Sequence, residues 1–470
     1  MVSGLNMNSA IMKLLKFFLS GYFVFTLTFT MCTPDSAKES VENTVKPGAV
    51  APDVKCISDT VFSYALYIPS TYNDKKNWPV LICFDPHAEG LIPVNLFYRQ
   101  AEKSGYIVAG SNTSRNGMSM DQTNKICSSL ISDLKNRFQI DDKSIYLVGF
   151  SGGSRVAGSY AQNFGNIAGV VGIGAGLNGA PVNFNKPFSY LAMAGTFDFN
   201  YVEMSNMIKS MEQTGFVHHF IEFDGPHGWP PVELIPDVMT WIEFDRMRNG
   251  SVPKDRNQIN AFIENKYAQY NKQRNSGKYY EAYNQLLMLK NYLNGLNEVS
   301  PIEEEIAQLL GVPELKRTIE IRESVLLQES QLQSTLSRQL QMESLDFWKK
   351  KIKEIRMASE KIPVDDFVRM QKRVLGFLSL SAYSLSNRGL QQNNYNEAGR
   401  YIELYRIIDP ENCEHRYMAA QLNMKMNKKE DALIELQNAV KLGFKDKKRL
   451  QNDPIFTTLH SEPAFELLTQ

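Results

Sequence analysis

The chain has 470 residues, more than one hydrophobic core usually organises, and its length predicts roughly two to four domains. Apolar residues make up 43% and charged residues 22%, which excludes a mostly disordered chain. The 51 basic and 51 acidic residues leave no positive excess, so we expect no nucleic-acid partner. Five cysteines without a Cys-x-x-Cys pair predict neither a disulfide framework nor a metal site, and we expect no cofactor.

The N-terminal residues have the pattern of an export signal. Lys13 and Lys16 precede an uncharged, apolar run at 17–31, and Cys32 follows it. This arrangement predicts a signal peptide at 1–31 and a flexible tether at 32–50, and an uncleaved membrane anchor is the alternative. A cysteine at the end of such a run resembles a bacterial lipoprotein signal. The resemblance implies an exported protein that is lipidated on Cys32 and attached to a membrane, facing the periplasm or the cell surface.

Residues 50–247 alternate between predicted strands and predicted helices. The continuous apolar run 78–84 is typical of a strand that is buried on both faces. The repeated alternation predicts an α/β fold with a doubly wound, mainly parallel sheet. The predicted strands are 61–68, 78–84, 106–109, 145–148, 168–173, 190–194 and 218–223, and the predicted helices are 94–104, 121–138, 155–164, 201–214 and 232–247.

Ser151 is a candidate nucleophile. The strand that ends at Val148 runs directly into Gly149-Phe-Ser-Gly-Gly153 and then into a predicted helix. In this context Gly-x-Ser-x-Gly is the pattern of a tight turn that projects the serine hydroxyl above the sheet and leaves no room for a Cβ on either side. The same turn directs the backbone N–H of Gly152 towards the same space. An ordinary turn with a glycine-flanked serine is the alternative.

An aspartate and a histidine follow later strands in the order that serine-hydrolase chemistry requires. Asp198 comes after the strand 190–194, and His227 comes after the strand 218–223. A serine hydroxyl needs a general base, and the imidazole needs a carboxylate that fixes its tautomer. Glu222 and Asp224 compete with Asp198 for the acid role. We favour Asp198 because the other two lie on the histidine's own strand or loop.

These features together resemble the serine esterases of the α/β-hydrolase superfamily. The segments Tyr67-Ile-Pro-Ser-Thr-Tyr72 and Trp78-Pro-Val-Leu-Ile-Cys-Phe84 resemble the first part of feruloyl-esterase-like and polyhydroxybutyrate-depolymerase-like members. The resemblance implies an α/β-hydrolase domain at 51–248 and a carboxylic ester as the substrate, either a small molecule or a glycan-linked ester.

The resemblance also implies an oxyanion hole made of two backbone N–H groups, those of Gly152 and His87. These families usually place His-Gly after the strand that ends at Phe84, whereas this chain has Asp85-Pro-His-Ala-Glu-Gly90. The identity of the second donor therefore stays open between His87 and a neighbour, and a loop histidine without a role is the alternative for His87. Arg115 follows a strand on the same side and is either a substrate contact or a solvated loop residue.

Residues 255–470 have long helical patterns, and only 7 of the 29 glycines lie after residue 250. Two segments repeat at an offset of 34 residues, with Ala398 and Ala432 in equivalent positions. The period resembles tetratricopeptide repeats, which implies stacked helix pairs and a surface for a protein partner; a generic helical array is the alternative. We expect this part to serve as a protein-interaction or substrate-positioning surface without catalytic residues. We therefore expect a chain that ends near Gly250 to hydrolyse a small ester if it stays soluble.

The sequence is compatible with three functions. The first is an exported serine hydrolase that cleaves carboxylic esters through an acyl-enzyme. The second is a serine peptidase of the prolyl-oligopeptidase type, although the roughly 30 residues between the signal and the first strands are too few for that family's propeller domain. The third is a helical-repeat interaction protein with an inactive hydrolase fold.

Overall fold

A single eight-stranded sheet organises the N-terminal part of the protein. The computed structural model describes residues 45–177, 188–212 and 214–469. The predicted signal peptide, most of the tether and Cys32 lie outside the described residues. Within those ranges, no helix is both long and apolar enough to span a bilayer.

The strands follow the order β1-β2-β4-β3-β5-β6-β7-β8 across the sheet. Strands β3 to β8 are parallel, and β1 and β2 add an antiparallel edge. The predicted α/β fold with a mainly parallel sheet is confirmed. The strands are β1 Val50–Lys55, β2 Ser63–Tyr67, β3 Trp78–Phe84, β4 Ile107–Ser111, β5 Ile140–Phe150, β6 Gly169–Ile173, β7 Ser189–Gly195 and β8 His218–Phe223.

Helices cover both faces of this sheet, because the connections between parallel strands cross over it. One face packs on α2, α3 and α4, and the other packs on α1 and α5. The helices of this part are α1 Leu91–Ser104, α2 Met120–Arg137, α3 Gly152–Phe164, α4 Tyr201–Met211 and α5 Ile235–Arg248, with a 3-10 turn at Val232–Leu234.

Strand β1 was not predicted, because its sequence lacks the apolar run that is typical of a strand. It contains Pro52 and Asp53, and only Val54 among its residues is buried. Proline is tolerated there because β1 lies at the edge of the sheet, where a missing N–H breaks no ladder on the outer side.

The described residues after Arg248 are helical. Helix α12 begins at Tyr395 and α14 at Lys429, 34 positions later, and the two predicted repeat alanines, Ala398 and Ala432, are both fully buried. The helices are α6 Arg256–Asn275, α7 Tyr279–Leu293, α8 Ser300–Leu310, α9 Pro313–Met342, α10 Leu345–Ser359, α11 Asp366–Gln391, α12 Tyr395–Ile408, α13 Glu414–Lys425, α14 Lys429–Lys441, α15 Lys447–Asn452 and α16 Pro463–Thr469, with a 3-10 helix at Pro454–Leu459.

The first of these helices share a hydrophobic core with the sheet. Phe223 of β8 and Trp241 of α5 belong to the same cluster of buried side chains as Phe262 of α6 and Tyr292 of α7. The rings of Phe262 and Tyr292 stack with centroids 5.2 Å apart. A chain that ended near Gly250 would therefore expose apolar surface that α6 and α7 cover, a cost that the sequence pattern did not reveal.

Candidate active site

Ser151 occupies a sharp turn between β5 and α3. Its backbone has φ 53° and ψ −119°, a positive φ that non-glycine residues rarely adopt. A Cβ on Gly149 would lie 2.2 Å from the Gly153 carbonyl oxygen, and one on Gly153 would lie 2.0 Å from that of Phe84. Both positions therefore require glycine, and the turn presents the Ser151 hydroxyl at the carboxyl edge of the sheet.

Ser151, His227 and Asp198 form one continuous hydrogen-bonded chain. Ser151 Oγ lies 2.9 Å from His227 Nε2, and both carboxylate oxygens of Asp198 lie 2.9 Å from His227 Nδ1. With the proton on Nδ1, the imidazole donates to Asp198 and its Nε2 accepts from the Ser151 hydroxyl. The Asp198 side chain is completely buried, and that of His227 is 18% exposed. This arrangement can remove a proton from the serine and stabilise the resulting imidazolium.

The His227 ring is packed between two phenylalanines. Its centroid is 4.7 Å from that of Phe150, the residue before the nucleophile, and 4.2 Å from that of Phe199, the residue after Asp198. These contacts leave the imidazole little freedom to turn away from Ser151.

The two alternative carboxylates face other partners. Asp224 accepts from the hydroxyl of Thr196 at 3.3 Å. Glu222 accepts from Tyr201 and pairs with Arg322 at 2.7 Å. In this geometry Asp198 is the carboxylate that reaches the imidazole.

The two predicted oxyanion donors differ in this structure. The N–H of Gly152 has no hydrogen-bond partner among the described residues. The N–H of His87 donates to Asp85 Oδ1 at 2.8 Å, and the His87 side chain is 74% exposed. In this structure the His87 N–H is therefore engaged by a carboxylate, whereas that of Gly152 is not.

A small cleft adjoins the nucleophile turn. Its volume is about 190 Å³, and its walls include Gly152, Asn116, Arg115, Arg155 and Met120. Arg155 pairs with Glu203 at 2.8 Å. Arg115 is exposed and forms no ion pair with any described residue. Asp85 also lines the cleft, so Arg115 is the cleft arginine without an ion pair among the described residues, and it shares the cleft with one buried carboxylate.

Three residues at the site were not assigned a role from the sequence. Asn116 lies directly over Gly152, where a Cβ would come within 1.8 Å of its Oδ1. Buried Asp85 accepts from the indole N–H of Trp229 at 2.9 Å, which links the loop after β3 to the loop that carries His227. Asn116 and Asp85 both follow parallel strands at the edge where Ser151 lies, and that position is the signal that could have found them.

One cluster of potential metal ligands occurs in the described part of the chain. Ligand atoms of Asp85, His87 and Glu89 lie within 4.8 Å of one another. His87 and Glu89 are exposed, and Asp85 is already bonded to Trp229 and to a backbone N–H. The triad chemistry needs no metal, and nothing else at this cluster points to one.

Comparisons with known proteins give distant structural similarity to esterases over the N-terminal 40% or so of the chain. A thermostable esterase is 17% identical with a TM-score of 0.33, and the match covers 41% of this chain and 61% of that one. A fluorophosphonate-binding serine hydrolase of Staphylococcus aureus is 14% identical with a TM-score of 0.34, over 42% and 98%. The feruloyl esterase module of Clostridium thermocellum, complexed with sinapinate, is 12% identical with a TM-score of 0.32, over 39% and 83%. No family model and no curated protein sequence matches the chain.

Proposed function

We propose that this protein is a serine hydrolase that cleaves carboxylic esters through an acyl-enzyme. The observation that carries the proposal is the chain from Ser151 through His227 to Asp198, with every link at 2.9 Å and the nucleophile in a strained turn. A strained, positive-φ serine beside a base is the kind of backbone outlier that functional sites retain.

The chemistry proceeds in two half-reactions. Ser151 Oγ attacks the ester carbonyl while its proton passes to His227 Nε2, and the same proton then moves to the leaving alkoxide as the ester C–O bond breaks. A water molecule next attacks the acyl-Ser151 carbonyl, gives its proton to His227, and releases the carboxylic acid and the free serine. Asp198 keeps the proton on Nδ1 throughout and stabilises the imidazolium.

The oxyanion formed in each half-reaction needs donors beside Ser151. Gly152 supplies a free backbone N–H, and we assign the second contact to the side-chain amide of Asn116 in place of the N–H of His87. The donor would be Asn116 Nδ2, which lies 3.5 Å from where a Cβ on Gly152 would stand, at the wall of the cleft; the nearer Oδ1 is an acceptor, so this role requires the amide to turn its NH2 group towards the oxyanion. Loss of one such donor typically lowers kcat by about 100- to 1,000-fold.

The cleft favours a short substrate group. Its volume of about 190 Å³ is below the roughly 300–1,000 Å³ of sites that bury drug-sized ligands, so a small acyl or alcohol group fits it. Arg115 adds a positive charge for a substrate that carries an anionic group.

Hydrolysis of short aryl esters by purified protein tests the proposal. Ser151→Ala and His227→Gln should each lower kcat by about 10⁴-fold or more, and the double variant should be little worse than either because the groups act as a unit. His460→Gln, at an exposed histidine of the helical part, is the matched control and should keep wild-type kcat. Full activity in Ser151→Ala would overturn the assignment.

Export is a separate proposal that the N-terminal sequence supports. The basic residues before the apolar run and the cysteine after it favour cleavage before Cys32 and lipidation of that residue. Mass spectrometry of the mature N-terminus tests both steps. An unprocessed Met1 would contradict export, and a cleaved but unacylated N-terminus would contradict only the lipid attachment.

A further inference from the structure

We infer that helix α11, in the helical part of the chain, positions the loop that carries the acid of the triad. We define the acid loop as residues 196–200, between β7 and α4. The inference rests on the proposed function, and it makes the helical part a component of the catalytic unit.

The first contact is a hydrogen bond from a buried arginine of α11. Arg373 Nη1 donates to the carbonyl oxygen of Thr196 at 2.8 Å, across 177 positions of the chain. Arg373 and its ion-pair partner Glu329 of α9 have side chains that are 4% and 0% exposed. The guanidinium is fixed by two hydrogen bonds from Nε, at 3.0 and 2.9 Å, to the Glu329 oxygens. Glu329 thus fixes the planar Arg373 guanidinium, and the guanidinium in turn fixes the Thr196 carbonyl, two residues before Asp198.

The second contact reaches the catalytic imidazole through one ring. A Cβ on Gly376 of α11 would lie 3.2 Å from Phe199 Cδ1 and 3.3 Å from Phe199 Cβ. The Phe199 ring also contacts the His227 ring, with centroids 4.2 Å apart. The order Gly376, Phe199, His227 means that the helix backbone sets the position of the phenylalanine, which in turn limits the position of the base.

Other residues around Asp198 also contact the helical part. The Lys372 ammonium lies 4.7 Å from the Phe197 ring, and the Arg373 guanidinium lies 4.8 Å from the Tyr201 ring. Arg322 of α9 donates to the Tyr201 hydroxyl at 2.8 Å. Thr196, Phe197, Phe199 and Tyr201 therefore all rest on α9 or α11, whereas the buried Asp198 carboxylate faces His227.

These contacts bear on two expectations from the sequence. The helical half was expected to hold no catalytic residue and to serve as a protein-interaction or substrate-positioning surface, and a chain that ends near Gly250 was expected to keep hydrolysing a small ester if it stays soluble. The acid loop of such a chain would lose Arg373 and Gly376 as supports, so we now expect weak hydrolysis even where the truncated chain folds.

Gly376→Ala in the full chain separates positioning from stability. Alanine favours a helix interior over glycine, which offsets part of the crowding against Phe199, so the variant should stay folded, and urea denaturation measures the net change in its stability. Its methyl group must displace Phe199 by a few tenths of an ångström, and we expect kcat to fall about 10-fold with KM within twofold of wild type. Gly399→Ala in α12 is the matched control, because its Cβ would lie 3.5 Å from Leu422, an ordinary contact. It should keep wild-type kcat.

A double-variant cycle tests the route through Phe199. In a Phe199→Leu background, adding Gly376→Ala should change kcat by less than twofold, because the ring that transmits the displacement is gone. Arg373→Lys is a second variant; it retains the charge opposite Glu329 but not the planar donor, and should also lower kcat several-fold at constant KM. Its control is Arg369→Lys, one turn earlier on α11, where the arginine pairs with Asp366. Wild-type kcat in both Gly376→Ala and Arg373→Lys would overturn the inference.

A spectroscopic readout distinguishes this inference from the proposed function. The proton that His227 Nδ1 shares with Asp198 gives a downfield proton NMR signal, which can be assigned by its loss in His227→Gln. Gly376→Ala should move that signal, and Gly399→Ala should not. If the protein hydrolyses no ester, the proposed function fails while this comparison still tests the positioning of His227. An unmoved signal in Gly376→Ala would then overturn the inference.

Discussion

A buried histidine lies where strand β8 of the sheet packs against helix α7. This residue makes the free energy of unfolding depend on pH. His219 of β8 is 5% exposed and contacts α7, where Asn291 Nδ2 lies 3.0 Å from its Nδ1. Its ring lies against Trp241 and Tyr292, with centroids 6.4 and 5.4 Å away. Burial, with smaller contributions from the charges of His218 and Lys266, lowers the pKa of His219 from 6.5 to about 3.

The sign of the effect follows from which state binds the proton. Above pH 6.5 the imidazole is neutral in both states and contributes no pH dependence. Below pH 6.5 the unfolded chain takes up a proton that the folded protein excludes, so the free energy of unfolding falls as the pH falls towards 3. One proton corresponds to about 1.4 kcal/mol per pH unit, so His219 alone should remove about 2 kcal/mol between pH 7 and pH 5. Burial also lowers the pKa of His415, which adds a dependence of the same sign.

His219→Phe isolates this contribution, because it keeps an aromatic ring against Trp241 and Tyr292 but cannot be protonated. Urea denaturation at pH 7 and pH 5 should show a loss of stability that is about 2 kcal/mol smaller in the variant than in the wild type. His460→Phe, at an exposed position, controls for the loss of a histidine as such and should match the wild type. Equal pH dependence in His219→Phe and the wild type would show that His219 does not contribute to the loss of stability at low pH.

Three further predictions follow from the contacts of the site. Asp198→Asn should lower kcat for a short ester by about 10³- to 10⁴-fold, whereas the kcat of Asp224→Asn should stay within a few-fold of the wild-type value. The reverse result would assign the acid role to Asp224. Arg115→Gln should raise KM for an ester with a free carboxylate and leave KM for a neutral ester unchanged, and an equal change for both substrates would exclude a charge contact. Glu329→Leu should lower the free energy of unfolding by about 3–5 kcal/mol, because it leaves Arg373 buried and unpaired. In urea denaturation, the double variant Glu329→Leu with Arg373→Met should recover most of that loss. No recovery would show that packing, and not charge, determines the stability at this pair.

The sheet and the positions around Ser151 were predictable because they depend on local patterns. Continuous apolar runs such as 78–84 indicate buried strands, and the carboxyl ends of parallel strands meet at one edge of a sheet. The sequence therefore placed Ser151, Asp198 and His227 near one another before any distance was known. Strand β1 was not predictable in this way, because an edge strand that contains Pro52 and Asp53 has no apolar run.

The contacts between the helical part and the rest of the protein were not predictable in the same way. Arg373 and Glu329 occupy ordinary helical positions, and nothing near them in the sequence indicates that they contact a loop 177 positions from Arg373. The core that α5 shares with α6 and α7 was not predictable either. Apolar residues on one face of a helix show that the face is buried, but they do not show which element covers it. The hydrogen bond from the His87 N–H to the side chain of Asp85, two residues earlier, was likewise not predictable from the sequence pattern.

Active-site labelling of the full chain tests directly whether Ser151 is an activated nucleophile. A fluorophosphonate is attacked only by an activated serine, so it reports the state of Ser151 without knowledge of the natural substrate. We predict one label per chain, located on the peptide that contains Ser151, and no label in Ser151→Ala or His227→Gln. A folded wild-type protein that takes up no label, or a label that persists in Ser151→Ala, would rule out Ser151 as the nucleophile.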